Sequence, residues 1–172
     1  MVGFLRRTTL VGGAALSILA GAVATVPVAL AAAPQAPDAA GTFTADVDFS
    51  TLTASDVRGN KCEFTVNGTL TFTGTLVGAA DGTTTAVIFA PCADATTNPP
   101  GTFFDVFRFE GTFTGSVDGS PVTGPLSYAG VTRVGGVIDA LILLHGDQGR
   151  AALRADAEVA VGGSYTGVAQ AR

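Results

Sequence analysis

The chain has 172 residues, 14 acidic and nine basic, for a net charge of −5, and 47% of it is hydrophobic. All 14 carboxylates follow Pro37; with Arg6 and Arg7 lost in a leader, seven basic against 14 acidic side chains leave −7, which disfavours nucleic acid and anionic membranes as partners. Two cysteines and one histidine cannot assemble a four-ligand zinc centre, and nothing in the composition calls for a cofactor.

The first 31 residues read as a helical secretory signal peptide. Arg6-Arg7 form a basic start, Thr8 to Ala31 carries no charge, and Ala29-Leu30-Ala31 supplies the small residues of a cleavage site. The Arg pair followed by Thr8, Thr9 and Leu10 partly fits a twin-arginine signal, so Sec and twin-arginine export both stay open. The uncharged run is long enough to span a bilayer, but Gly, Thr and Pro27 dilute it and the cleavage site follows directly. The expected product is secreted and extracellular, with no stable membrane insertion after cleavage. Eight arginines against Lys61 alone, with abundant Ala, Gly and Val, fit a GC-rich bacterial coding sequence.

Residues 32–40, rich in Pro and Ala, are expected to be a disordered linker, with the folded domain at 41–172. From there the dominant pattern has period two, the mark of a half-buried strand. Phe43, Ala45, Val47 and Phe49 alternate with polar residues, as do Leu70, Phe72 and Leu76 within a run of threonines. Asn67-Gly68 is expected to turn residues 62–66 into 69–77, Asp81-Gly82 to end a strand, and Asp118-Gly119 to turn 112–117 into 121–128. The block from Pro91 to Gly101, containing Asn98-Pro99-Pro100, cannot continue a ladder and predicts the longest loop. Gly135-Gly136 and Gly162-Gly163 break the chain before two further strands. Ala151, Leu153, Ala155, Ala157, Val159 and Val161 share one face opposite Arg154, Asp156 and Glu158. Ala, Leu, Arg and Glu favour helix, but a helix would scatter those charges, so a strand is predicted.

Cys62 and Cys92 are an isolated pair, neither C-x-x-C nor part of a metal motif. In an oxidising compartment they predict a disulfide. Eight or nine short strands joined mostly by tight turns must close into one antiparallel β-barrel or stack as a two-sheet β-sandwich. Gly74, Gly115 and Gly124, read as strand-interior glycines, favour the barrel because they permit sharp coiling. Outward Thr, Asp and Arg argue against a lipid-facing exterior.

No nucleophile, nucleotide or metal motif stands out. His145 and Asp147 are two residues apart in an expected turn, where solvation explains them as well as proton transfer does. Asp105 is in register with Phe103, Phe107, Phe109 and Phe113, and Asp139 with Val137, Leu141 and Leu143. If those faces point inward, each carboxylate enters an apolar interior where its charge is costly. Asp105 and Asp139 are therefore the catalytic candidates, unless they sit at a wetted rim or pair with Arg108 or Arg133. Phe103, Phe107, Phe109, Tyr128 and Tyr165 are the candidate ligand-binding set. Phe104 and Val106, opposite the aromatic row, leave open a core strand, a pocket wall or a contact between subunits of a homo-oligomer.

The stretch Val161-Gly162-Gly163-Ser164-Tyr165-Thr166-Gly167-Val168-Ala169 is similar to the Gly-Gly-Thr-Gly-aromatic segment of the allene-oxide-cyclase-like and dirigent-type β-barrels. It lacks a glycine between Ser164 and Tyr165. The resemblance implies a small barrel that orients a reactive hydrophobic intermediate, often as an oligomer, and carries over no catalytic residue. Two functions follow as expectations. One is non-catalytic binding of a hydrophobic small molecule or a protein partner; the other is a cofactor-free cyclase or isomerase acting on a hydrophobic substrate.

Overall fold

The computed structural model describes residues 38–172, so the expected signal peptide and most of the expected linker lie outside the described residues. Eight antiparallel strands close into one barrel: β1 (Asp38–Val57), β2 (Lys61–Gly74), β3 (Leu76–Ile88), β4 (Asp105–Val117), β5 (Ser120–Thr132), β6 (Val137–His145), β7 (Gly149–Glu158) and β8 (Gly162–Ala171). The barrel, not the sandwich, is the fold. Each strand pairs with the next, and β1 returns to β8 with Asp38 opposite Val168 and Thr44 opposite Gly162. Closure thus recruits Asp38, Ala39 and Ala40, three residues assigned above to the linker, and buries Ala39.

Alternation decides which side chains enter. Phe43, Leu70 and Leu153 are buried in one core, and Phe107 packs against it. The outer wall of β1–β4 is threaded by threonines, with Thr42 and Thr73 hydroxyls 2.8 Å apart and the Thr69 hydroxyl donating to Asp81 at 2.6 Å. Such cross-strand pairs stabilise the sheet by tenths of a kcal/mol to about 1 kcal/mol each.

Turn chemistry is as expected at Asp118-Gly119, where φ values of 48° and 78° suit a two-residue hairpin. It differs at Asn67-Gly68 and Asp81-Gly82, which are not turns. Gly68 pairs with Gly82, and Gly82 with Gly111, so a row of glycines crosses β2, β3 and β4 in mid-strand. A Cβ on Gly82 would collide with the carbonyl oxygen of Glu110, and one on Gly68 would lie 2.7 Å from that of Asp46. These residues let neighbouring backbones close in where the wall coils, which only glycine allows. Gly115 and Gly124 do lie inside strands, whereas Gly74 ends β2 with φ 105°. The apolar run through Val159 and Val161 also breaks: β7 stops at Glu158, Ala160 turns the chain with φ 57°, and Val161 is exposed.

The barrel has two unlike halves. Around the β2–β3, β4–β5 and β6–β7 connections, Phe72, Leu76, Phe113, Val117, Ile142 and Leu144 are essentially inaccessible and fill the interior. Each such side chain contributes about 1.5–3 kcal/mol through burial. The other half is closed by the one long connection, β3 to β4, which carries a single helical turn, α1 (Cys92–Ala95). The predicted disulfide forms, joining Cys62 on β2 to Cys92 at the start of α1 with the Cα atoms 4.8 Å apart. A second small core of Cys62, Ile88, Ala90 and Ala95 holds this cap to the wall.

Candidate functional site

Beneath the cap the interior is not filled. A cavity of about 500 Å³ extends from the mouth down to Phe43, Leu70, Phe109 and Tyr128. Most of its wall comes from the inward phase of β1–β5, with Ala45, Phe64, Val66, Ala86 and Phe107 among the residues that line it, joined by Ile138 of β6 and, at the mouth, Glu158 to Ala160 and Gly162. The space exists because small inward residues lie beside large ones: Phe107 is paired with Ala86 on one side and Gly130 on the other. At the mouth, β1 bulges. Asp48 pairs with Asn67 and Thr53 with Thr65, so residues 49–52 are looped out, and Phe49 and Leu52 line the entrance. The cap contributes Ala95, Thr96, Phe103 and the stretch from Asn98 to Thr102, including Pro99-Pro100.

Phe103, Phe107, Phe109 and Tyr128 all line this cavity, so the structure gathers four of the five candidate ligand-binding residues. Tyr165 is elsewhere. It is buried in the filled half, where its hydroxyl accepts the Leu76 N–H at 2.9 Å and donates to the Thr73 carbonyl at 3.0 Å. Burial raises its pKa, and the Leu76 hydrogen bond opposes the rise. It is a bolt between β8 and the β2–β3 corner.

The two carboxylate candidates separate in the same way. Asp105 lines the cavity and is 8% exposed, with Ile88 and Thr132 as its register partners on the flanking strands. Its Oδ1 has no hydrogen-bond partner among the described residues. Burial pushes its pKa up from 3.8 to about 6, while the Thr132 hydroxyl pulls the other way. Asp139 faces outward, correcting the reading that could have placed it in the interior. On β6 the buried phase is Ile138, Ile142 and Leu144, leaving Val137, Asp139, Leu141 and Leu143 outside. There Asp139 accepts from Arg133 Nε at 2.8 Å and from its terminal nitrogen at 2.7 Å. Arg108 is also outside, paired with Glu110.

Tyr128 is 5% exposed, its hydroxyl finds no partner among the described residues, and burial raises its pKa. Its ring meets Phe107 at 5.0 Å and Phe43 at 5.4 Å between centroids, both edge-on. His145 is exposed at the end of β6, and Asp147 serves the backbone. The Asp147 carboxylate accepts the N–H groups of Thr123 and Gln148 at 2.9 and 2.8 Å, which hold its pKa down. That is a turn clamp, not a proton relay.

Sequence reasoning missed the aliphatic wall and Thr132, which is 1% exposed and belongs to the apolar phase of β5. Its inward phase was legible from Leu126 and Tyr128; its place beside Asp105 was not. Among the described residues there is no cluster suited to a metal ion, and no helix is long and apolar enough to cross a membrane. Compared with known proteins, the chain matches no family model, no curated protein and no solved structure.

Proposed function

We propose that this protein, once exported, binds a hydrophobic small molecule in the capped half of its barrel. One observation carries the reading: a cavity of about 500 Å³ with an aromatic and aliphatic wall, within a barrel whose other half is fully packed. Small-molecule sites are typically concave, mostly apolar, and furnished with a few polar groups that orient the ligand. Asp105 and Tyr128 are such groups here. Export is supported by the N-terminal sequence pattern and by the Cys62–Cys92 disulfide, a bond that persists in oxidising compartments.

A second reading, a cofactor-free cyclase or isomerase, is favoured by Asp105 itself. A cavity carboxyl with a pKa of about 6 can give or take a proton near neutral pH, where general acid–base catalysis is efficient. In that reading the wall folds the substrate and Asp105 moves the proton.

Titration with a neutral fluorescent hydrophobe, N-phenyl-1-naphthylamine, tests the first reading. The folded wild-type protein is expected to enhance its emission with saturation at one dye per chain. Val66→Trp, which fills the cavity from its wall, is expected to abolish that binding with an unchanged far-UV spectrum. A folded wild type that leaves the dye dark, or a Val66→Trp variant that binds it equally well, refutes the assignment. Conversion of a retained ligand to an isomer of equal mass, lost in Asp105→Asn, would move the assignment to the second reading.

A further inference from the structure

We propose that the cavity selects hydrophobic amines, seating a protonated nitrogen against Asp105 among aromatic rings and rejecting fatty-acid-type carboxylates. This rests on the cavity being the ligand site and adds the chemical class of the ligand.

The first ground is the sign of the charge. Among the described residues that line the cavity, the ionisable side chains are Asp46, Asp105, Tyr128 and Glu158, with no lysine, arginine or histidine. Asp46 and Glu158 are exposed, on the outward phase of β1 and at the end of β7, so Asp105 is the one ionisable carboxylate of the interior. An anionic head group would meet only like charge there, and desolvation would add to its cost.

The second ground is that nothing in the wall neutralises Asp105. Its neighbours are Ile88 and Thr132 across the sheet, Phe107 two residues on along β4 and Phe103 two residues back in the cap, and Oδ1 is left without a donor. Arg133, next to Thr132 in the chain, is engaged with Asp139 on the outer surface. An alcohol could donate one hydrogen bond to this carboxylate but would leave its charge uncompensated. An ammonium supplies the donor and the counter-charge together, and charge-assisted hydrogen bonds are roughly twice as strong as neutral ones.

The third ground is the surrounding π-system. Phe107, two residues from Asp105 on β4, forms a close edge-on pair with Tyr128 in the same cavity wall, and the Tyr128 oxygen is itself unpartnered. Aromatic faces attract a desolvated cation. A carboxylate, aromatic rings and a long apolar wall together describe a cationic head with a hydrophobic tail.

The experiment is displacement of N-phenyl-1-naphthylamine from the full chain by decylamine, decanol and decanoate, each below its aggregation threshold. At about pH 7.5 decylamine is expected to bind about tenfold more tightly than decanol, with decanoate the weakest. Asp105→Asn is expected to bring decylamine and decanol within about twofold of each other, chiefly by weakening decylamine. Near pH 5 the wild-type preference is expected to shrink, because Asp105 takes up a proton while decylamine stays charged. The wild-type ranking and its pH dependence decide the matter even if the variant does not fold. Equal binding of decanol and decylamine, or tightest binding of decanoate, overturns the selectivity while leaving the cavity as a ligand site. If the dye and all three displacers fail to bind, the ligand site itself falls, and this inference with it.

Discussion

Replacing Asp105 by asparagine keeps the shape of the side chain and removes its charge. Burial raises the folded-state pKa from 3.8 to about 6, so the native protein holds the proton more tightly than the unfolded chain does. The stability contributed by that proton is complete below about pH 3.8, declines between 3.8 and 6, and is gone above 6. Above that window the native state carries an ionised carboxylate that unfolding would rehydrate. At about 1.4 kcal/mol per pH unit, the full shift corresponds to about 3 kcal/mol. Water reaching the wall through the mouth screens part of it, leaving about 2 kcal/mol. Asp105→Asn is therefore expected to stabilise the ligand-free protein by about 2 kcal/mol at neutral pH, and the gap should close as the pH approaches 4. Urea unfolding followed by far-UV circular dichroism reads this directly, since the chain has no tryptophan. The protein should first be refolded from urea with its disulfide intact, which strips any bound ligand. Subtracting the variant's curve from the wild type's cancels the other carboxylates. A difference that does not change with pH, or a variant less stable than wild type at neutral pH, would refute the account of Asp105 as a buried, uncompensated charge.

Three further outcomes follow from the packing. Tyr165→Phe removes the hydroxyl that accepts the Leu76 N–H and donates to the Thr73 carbonyl, and is expected to cost about 1–3 kcal/mol in urea unfolding. Because Tyr165 lies outside the cavity, dye affinity should not change. Reducing the Cys62–Cys92 bond, which closes a loop of 30 residues, is expected to cost about 3–4 kcal/mol and to speed dye release, since that bond anchors the cap. Gly82→Val would drive a side chain into the Glu110 carbonyl and to within 2.6 Å of the Gly111 Cα, so loss of the cooperative unfolding transition is expected.

The amino-acid order alone determined the strand character, the disulfide and the inward phase of β1, β2, β4 and β7. Alternation is a local property: Phe43 and Ala45, or Leu153 and Ala155, fall on one side of a pleated chain whatever lies beyond it. It failed where both phases are apolar. Residues 137–144 hold Val137, Leu141 and Leu143 on one phase and Ile138, Ile142 and Leu144 on the other, so nothing local says which enters the barrel. Register with β5 and β7 decides it, and with it the fate of Asp139. Asn67-Gly68 and Asp81-Gly82 misled for a related reason. Glycine serves a positive-φ turn and a close approach between backbones equally well, and only the pairing of Gly68, Gly82 and Gly111 shows that coiling is the use here. The division into a filled half and a hollow half is likewise tertiary. It depends on which large side chains face small ones across a closed wall, as Phe107 does between Ala86 and Gly130, and a linear pattern cannot express that pairing.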